Sequence, residues 1–171
     1  MDKRRAIQIM TKAAQLYKEH LEDQKVLFLY GLPKEVNKRL TENDFSFAKD
    51  GSTGQKLDIL ERMMLIKKNV TMMGEFTDRG PKLYTEKAAG NICGCIGFVK
   101  DKNTKLNVPN TLLKKDIRDV TAQPTYKVFA VISKHYTDEK YTKLVKMDKC
   151  IDLKECCFSE TIENMIDREN L

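Results

Sequence analysis

The sequence predicts an α+β fold in which helices pack on a mainly antiparallel sheet. The first part of the chain holds two amphipathic segments with apolar residues at helical spacing, and from residue 70 onward the apolar residues follow the shorter period of strands. Helices followed by a run of sequence-adjacent strands are typical of α+β domains.

Two amphipathic helices are predicted in the first part of the chain. In residues 3–22, Ile9, Ala13 and Leu16 recur along one helical face. Residues 53–68 show the same periodicity, and Ser52 followed by Gln55 fits a capping box at their start.

The segment between these helices is predicted to begin with a strand. Residues 26–30 form a compact apolar run closed by Gly31. Residues 33–40 are predicted as a short helix because proline is favoured at the first helical position. Residues 44–51 then form a turn-rich connection.

Three strands and a short helix are predicted in the middle of the chain. The strands cover residues 70–76, 82–85 and 91–99. Gly94 and Gly97 within the third strand predict a bulge or the close approach of another backbone. An Asn-Thr pair after Pro109 predicts the cap of a helix over residues 112–120.

The last part of the chain is predicted to complete the sheet. Residues 126–132 are almost all apolar, which predicts an interior strand that packs against the first helix and pairs with residues 141–147. Ser159 predicts the start of a last helix over residues 160–169. Since no linker or repeat divides the chain, residues 1–171 are expected to form a single domain.

The protein is predicted to be cytoplasmic, with no contact with a membrane. Neither a secretory signal nor an apolar run of membrane-spanning length occurs. Its five cysteines are then expected to be free thiols, with Cys93 and Cys95 as small buried hydrophobes on one face of a strand. Because no cysteine pair has chelating spacing, we expect no metal and no other cofactor.

Charge is unevenly distributed. Residues 79–149 hold 15 Lys and Arg against 7 Asp and Glu, a balance of +8, whereas residues 150–171 hold 2 against 6, a balance of −4. A basic middle predicts a surface that meets an anionic partner, with a solvated lysine-rich surface as the alternative. Lys114 and Arg118 would share one face of the predicted helix and could straddle a phosphate.

Common catalytic motifs are missing from the sequence. It has no phosphate-binding loop, no Gly-x-Ser-x-Gly elbow and no dinucleotide-binding fingerprint. The sequence therefore gives no support for energy-coupled or acyl-transfer chemistry.

Several phrases resemble one known family. They are LYTEKAAGN at residues 83–91, GFVKD at 97–101, VPNT at 108–111 and KDIRDVT at 115–121. Together they are similar to a nuclease-like family of phage and integrative elements, the fourth phage-type subtype of the Barnase, EndoU, Colicin and RelE superfamily (BECR fold). The resemblance implies a helix packed on a four- or five-stranded antiparallel sheet and metal-independent RNA cleavage.

The chain departs from that family after the first predicted strand. The family carries a His-Leu-Thr-Gly phrase there, whereas here Gly31, Leu32 and Pro33 lead directly to residues 38–40, and the phrase occurs nowhere in the chain. Two hypotheses follow. The protein is an RNase-like hydrolase, as a toxin or an effector of a mobile element, or it is a degenerate, non-catalytic module that binds nucleic acid or protein.

RNA cleavage without a metal needs a base, an acid and cations that stabilise the charged phosphorane. The catalytic candidates are Tyr84, Glu86, Lys87 and His135. The phosphate-binding candidates are Lys87, Asn110, Lys114, Lys115 and Arg118. Of these, His135 also fits an exposed hairpin tip. RNA is favoured over DNA as the partner, and a cognate inhibitor protein is a further candidate partner.

Overall fold

The computed structural model of the chain describes residues 1–21, 41–77 and 84–171. The strand predicted at residues 26–30 and the helix predicted at 33–40 lie outside the described residues, as does part of the strand predicted at 82–85. The described helices are α1 (Lys3–Leu21), α2 (Ser52–Met64), α3 (Ile66–Asn69) and α4 (Glu160–Met165). None of them combines the length and the hydropathy that crossing a membrane requires.

Five of the described strands form one antiparallel sheet. In chain order they are β1 (Met72–Glu75), β2 (Lys87–Asn91), β3 (Gly94–Lys100), β4 (Asn107–Leu113) and β5 (Tyr126–Lys127). Their order across the sheet is β4-β3-β2-β1-β5. Two further strands, β6 (Ala130–Ser133) and β7 (Lys143–Met147), pair only with each other. The α+β class and the antiparallel five-stranded sheet are confirmed.

Both faces of the sheet are covered. On one face, Ile96 packs with Ile59 and Met63 of α2. On the other face, Cys95 packs with Ile117 and Val120, which come from a 3₁₀ helix (Ile117–Asp119) and the residue after it. Successive side chains of β3 alternate between these two clusters, as the strand period requires.

Helix α1 forms as predicted but packs mainly on α2. Its buried residues are Ala6, Ala13 and Ala14, and Lys12 Nζ lies 2.5 Å from Glu61 Oε2 of α2. Small side chains on the inner face let the two helices approach closely. The expected packing of α1 against the strand at residues 126–132 is not among the main contacts between the described elements.

The predicted capping box at Ser52 is wrong. Gly51 is the residue that precedes α2, with φ of 76°, and no side chain accepts a capping hydrogen bond there. Such a positive φ favours glycine over any residue with a Cβ atom. Ser52 instead donates its backbone N–H to Asp50 Oδ1 at 2.9 Å.

The strand predicted at residues 91–99 begins with a turn. Asn91 ends β2, Ile92 and Cys93 form the turn, and Gly94 begins β3. Gly90 allows this tight hairpin, because a Cβ atom on it would lie 2.3 Å from the carbonyl oxygen of Gly94. The predicted bulge is confirmed as a register shift between Gly97 and Phe98.

The helix predicted at residues 112–120 is mostly wrong. Residues 107–113 are β4, an edge strand, and only the 3₁₀ turn at Ile117–Asp119 is helical. An edge strand tolerates Pro109, whose missing N–H has no neighbouring strand to bond. The Asn-Thr pair therefore lies within β4, where Thr111 pairs with Gly97 of β3, and it caps no helix.

The interior strand predicted at residues 126–132 is wrong. Tyr126 and Lys127 form β5 at the edge of the main sheet, and the chain leaves that sheet before β6 begins at Ala130. Tyr126 is 59% exposed and Phe129 43% exposed, so the apolar run is not covered on both sides. The predicted pairing with residues 141–147 is confirmed between β6 and β7.

The last helix begins at the predicted position but ends at Met165, before the predicted end at residue 169. Ser159 precedes α4 but makes no side-chain capping hydrogen bond. Residues 168–170 form a separate 3₁₀ turn after Ile166, so the predicted helix over 160–169 is interrupted.

Candidate nucleic-acid interface

Polar residues meet where β2 begins and β4 bulges. We call Tyr84, Thr85, Glu86, Lys87 and Asn110 the strand-end surface. Asn110 Nδ2 donates to the backbone oxygen of Tyr84 at 2.6 Å and to Thr85 Oγ1 at 3.2 Å. Thr111 pairs with Gly97 and Pro109 with Phe98, so Asn110 is the extra residue of the bulge. A bulge aims its side chain away from the regular ladder, which is how Asn110 reaches the chain before β2.

A glycine lets this segment lie close to β3. A Cβ atom on Gly97 would lie 2.6 Å from the methyl carbon of Thr85 and 2.9 Å from that of Thr111. The two threonine methyls therefore occupy the space that a side chain would need. The sequence predicted a bulge or the close approach of another backbone here; the bulge is present, and the atoms that approach Gly97 belong to threonine side chains.

The backbone of Glu86 is fixed on both sides. Its N–H donates to Phe98 oxygen at 2.8 Å, and its carbonyl accepts from Phe76 N–H at 2.7 Å. The side chain of Glu86 is exposed, and Tyr84 is 80% exposed. A carboxylate and a phenol are thus presented to solvent from a backbone that neighbouring strands hold.

Lys87 is paired with an acid on the neighbouring strand. Lys87 and Glu75 are direct partners in the antiparallel pairing of β1 and β2, and Lys87 Nζ lies 3.3 Å from Glu75 Oε1. Both side chains are largely solvated, at 42% and 64% exposure. Such exposed pairs contribute about 0–1 kcal/mol, so a phosphate can compete for the lysine.

Lys114 and Arg118 do not share a helix face. Lys114 follows β4 and its Nζ lies 2.8 Å from Asp58 Oδ2 of α2. Arg118 lies in the 3₁₀ turn and binds Asp116, with Nη2 2.6 Å from Oδ2. The hydrogen bond from Lys114 lowers the pKa of Asp58, and that from Arg118 lowers the pKa of Asp116. Lys115 is exposed between them.

His135 lies in the loop between β6 and β7, as predicted, but not at the strand-end surface. Its Nδ1 lies 2.7 Å from Thr137 Oγ1, and its backbone N–H donates to Asp138 Oδ2 at 3.0 Å. It lines a cavity of about 500 Å³ together with five lysines from three separate segments. Sequence reasoning missed this cavity, since only the Lys67-Lys68 pair hints at it and the fold must bring the segments together.

The cysteines are placed differently from one another. Cys95 is fully buried and its pKa is raised to about 12, mainly by burial. Cys93 lies in the turn and is exposed, so the prediction that both are buried on one strand face is wrong for Cys93. Within residues 1–21, 41–77 and 84–171, no three His, Cys, Asp or Glu side chains converge as a metal site would need.

The strand-end surface presents an aromatic ring, a carboxylate and an ammonium group to solvent. The exposed ring of Tyr84 can stack on a base, and stacking of this kind stabilises single-stranded binding without sequence preference. Glu86 and Lys87 can take part in proton transfer or meet a phosphate.

Comparison with known proteins identifies a family for this chain. A sequence model of the family described as phage-Barnase-EndoU-ColicinE5/D-RelE like nuclease4 matches residues 32–149, which is more than half of the chain. No curated protein and no solved structure matches the chain significantly. The matched range includes the whole strand-end surface and the loop with His135. The chain belongs to the phage-Barnase-EndoU-ColicinE5/D-RelE like nuclease4 family.

Proposed function

We propose that the protein binds single-stranded RNA at the strand-end surface and cleaves it without a metal ion. The observation that carries the proposal is the exposed phenol of Tyr84 beside the exposed carboxylate of Glu86, on a backbone held by Asn110 and by two strands. Membership of a nuclease family supports the reaction class.

Three residues of the surface, Glu86, Lys87 and Tyr84, have chemical roles in this proposal. Glu86 accepts the proton of the attacking 2′-hydroxyl, and Lys87 moves from Glu75 to the phosphate and stabilises the charge of the phosphorane. Tyr84 donates its phenolic proton to the leaving 5′-oxygen, and its ring packs on the flanking base. Lys115 follows the last residue of β4, is exposed, and extends the contact along the RNA backbone.

A non-catalytic RNA-binding module is the second candidate function. Histidine is the side chain that most often acts as a general acid or base. Here His135 lines a cavity away from the strand-end surface, and this observation supports the second function. Lys114 and Arg118 are also engaged by Asp58 and Asp116. Such a module keeps the stacking and phosphate contacts of the surface and lacks turnover.

The biological role follows from the activity. A metal-independent RNase of a phage-type family fits a toxin or an effector of a mobile element, acting in the cytoplasm and held in check by a cognate inhibitor protein. In this proposal, residues 1–171 act as one nuclease-like domain.

The test is incubation of the purified protein with mixed RNA in EDTA. The proposal expects cleavage that Glu86→Gln abolishes, while Glu86→Gln still binds RNA. Glu155→Gln, the same substitution at an exposed position after β7, is the matched control and keeps full activity. RNA binding without cleavage in the wild type favours the second function. Absence of RNA binding contradicts both.

A further inference from the structure

A second basic site lies away from the strand-end surface. It is the cavity of about 500 Å³ that opens between the end of α1, the segment that joins α2 to α3, and the β6–β7 hairpin. Five lysines line it: Lys18, Lys67, Lys68, Lys134 and Lys143. Of the described residues that line this lysine cavity, none belongs to the strand-end surface.

The acids that line the lysine cavity are already engaged by other groups. Asp138 Oδ2 accepts the backbone N–H of His135 at 3.0 Å, and Glu19 Oε1 accepts from Gln15 Nε2 at 3.1 Å. Lys134 Nζ donates to the backbone oxygen of Glu139 at 2.8 Å, which neutralises no charge. Positive charge exceeds negative charge around the cavity, because five lysines line it against two acids, Glu19 and Asp138.

Two polar groups in the wall of the cavity are buried without a partner. Among the described residues, Lys67 Nζ and Ser133 Oγ are both shielded from solvent and make no hydrogen bond. Ser133 is only 7% exposed as a whole. Burial, and then the neighbouring Lys143, lower the pKa of Lys67. An unpaired ammonium and hydroxyl in such a position cost stability, which an anion entering the cavity would recover.

We propose that the lysine cavity binds a phosphate monoester, carried by a small ligand of about the size of a nucleoside monophosphate. Its volume falls in the range of roughly 300–1,000 Å³ that is usual for small-molecule sites. A phosphate monoester brings close to two negative charges and three acceptor oxygens. These charges and oxygens match the clustered lysine ammonium groups, the Ser133 hydroxyl and the His135 imidazole that line the cavity. A carboxylate ligand would bring only one negative charge.

The same chemistry has two sources, a free nucleotide or the phosphorylated end of an RNA. Titration calorimetry with adenosine monophosphate, adenosine and inorganic phosphate tests the chemistry. A short RNA with a 5′-phosphate, compared with the same RNA carrying a 5′-hydroxyl, distinguishes the sources. We expect adenosine monophosphate to bind and adenosine not to bind. A preference for 5′-phosphorylated RNA over the monophosphate assigns the RNA end as the source, and the reverse preference assigns the free nucleotide.

Lys67→Met is the informative variant. Removal of a buried, unpaired charge leaves the apolar stem in place, so the ligand-free variant should melt at the same or a higher temperature than the wild type. Its affinity for adenosine monophosphate should fall by about tenfold or more, because a charge-assisted hydrogen bond is lost. Lys143→Met should weaken the affinity in the same direction, and Lys102→Met serves as the control with unchanged affinity.

Two results would overturn the proposal. One is equal binding of adenosine and adenosine monophosphate, and the other is wild-type affinity in both the Lys67→Met and the Lys143→Met variants. Neither result bears on the strand-end surface, since RNA cleavage there is measured separately in EDTA.

Discussion

Asn110 Nδ2 donates a hydrogen bond of 2.6 Å to the backbone oxygen of Tyr84, across 26 positions of sequence. The bond ties the bulge of β4 to the segment that enters β2. One side chain thereby sets the position of the most exposed part of the strand-end surface.

Asn110→Ala should destabilise the protein by about 1–2 kcal/mol, because it removes the hydrogen bonds to Tyr84 and Thr85, each of which is usually worth about 0.5–1.5 kcal/mol. It should also weaken RNA binding, because Tyr84 is no longer held in place. Urea unfolding and fluorescence anisotropy measure the two effects. The control is Asn103→Ala in the turn after β3, where Asn103 contributes only its backbone N–H to Asp101. Equal RNA affinity in the wild type and in Asn110→Ala would remove Asn110 from the site.

Gly90→Ala should unfold the protein or destabilise it by several kcal/mol. The added Cβ atom would lie 2.3 Å from Gly94 oxygen and 2.5 Å from Cys95 Cα, which are backbone atoms that cannot give way alone. Gly54→Ala in α2 is the matched control, because nothing lies within 4 Å of its added Cβ atom. That control should gain up to about 1 kcal/mol from helix propensity. A thermal midpoint for Gly90→Ala close to the wild-type value would show that the β2–β3 hairpin differs from the one described.

The spacing of apolar residues predicted most of the described helices, because residues that recur at helical spacing are the ones that become buried. The apolar residues of α1 and α2 lie on the faces that pack, and the basic composition of the middle segment was visible in the sequence. The hairpin turn at Ile92 and Cys93 was missed because Ile92 is apolar yet 61% exposed. Ile92 is exposed because it lies in the hairpin turn, and the spacing of apolar residues along the sequence does not reveal that turn.

Tertiary context decided the remaining elements. The segment after Pro109 has a helix-cap signature but supplies the edge strand, where its pairing with β3 outweighs the weak local preference. The same change separates Lys114 from Arg118, which bind acids on different elements. The lysine cavity could not be predicted, because its residues come from segments about 50 or more positions apart.

Asp148 should make the stability of the protein depend on pH. A hydrogen bond from Cys150 Sγ, and then one from Lys127 Nζ at 2.6 Å, lower the pKa of Asp148 below its ordinary value of 3.8. A carboxyl with a lowered folded pKa contributes stability above its unfolded pKa, and that contribution is lost as the pH falls through the folded pKa. The contribution of Asp148 is therefore full at neutral pH and declines below pH 3.8.

Urea unfolding of the wild type and of Asp148→Asn at several pH values measures this contribution. At pH 7 the wild type should have the larger free energy of unfolding. The difference between the two proteins should shrink as the pH is lowered below 3.8. A difference in unfolding free energy that stays constant from neutral to acid pH would show that these partners do not stabilise the charged form of Asp148 in the folded protein.

The ion pair of Lys87 and Glu75 tests the strand-end surface most directly, because its two members should change RNA binding in opposite directions. Lys87→Met should weaken RNA binding and reduce the salt slope by about one, for one lost phosphate contact. Glu75→Gln frees Lys87 from its partner and should tighten binding. Lys102→Met is the control for Lys87→Met, and Glu155→Gln is the control for Glu75→Gln. Each makes the same change in net charge at an exposed position elsewhere and should have little effect on RNA binding.

The decisive measurement is therefore the RNA affinity of these four variants and the wild type by fluorescence anisotropy over a range of salt concentrations. We expect weaker binding for Lys87→Met, tighter binding for Glu75→Gln, and near wild-type binding for both controls. Equal affinity in the Lys87→Met and Glu75→Gln variants, or effects in the controls as large as theirs, would contradict the assignment of RNA binding to the strand-end surface.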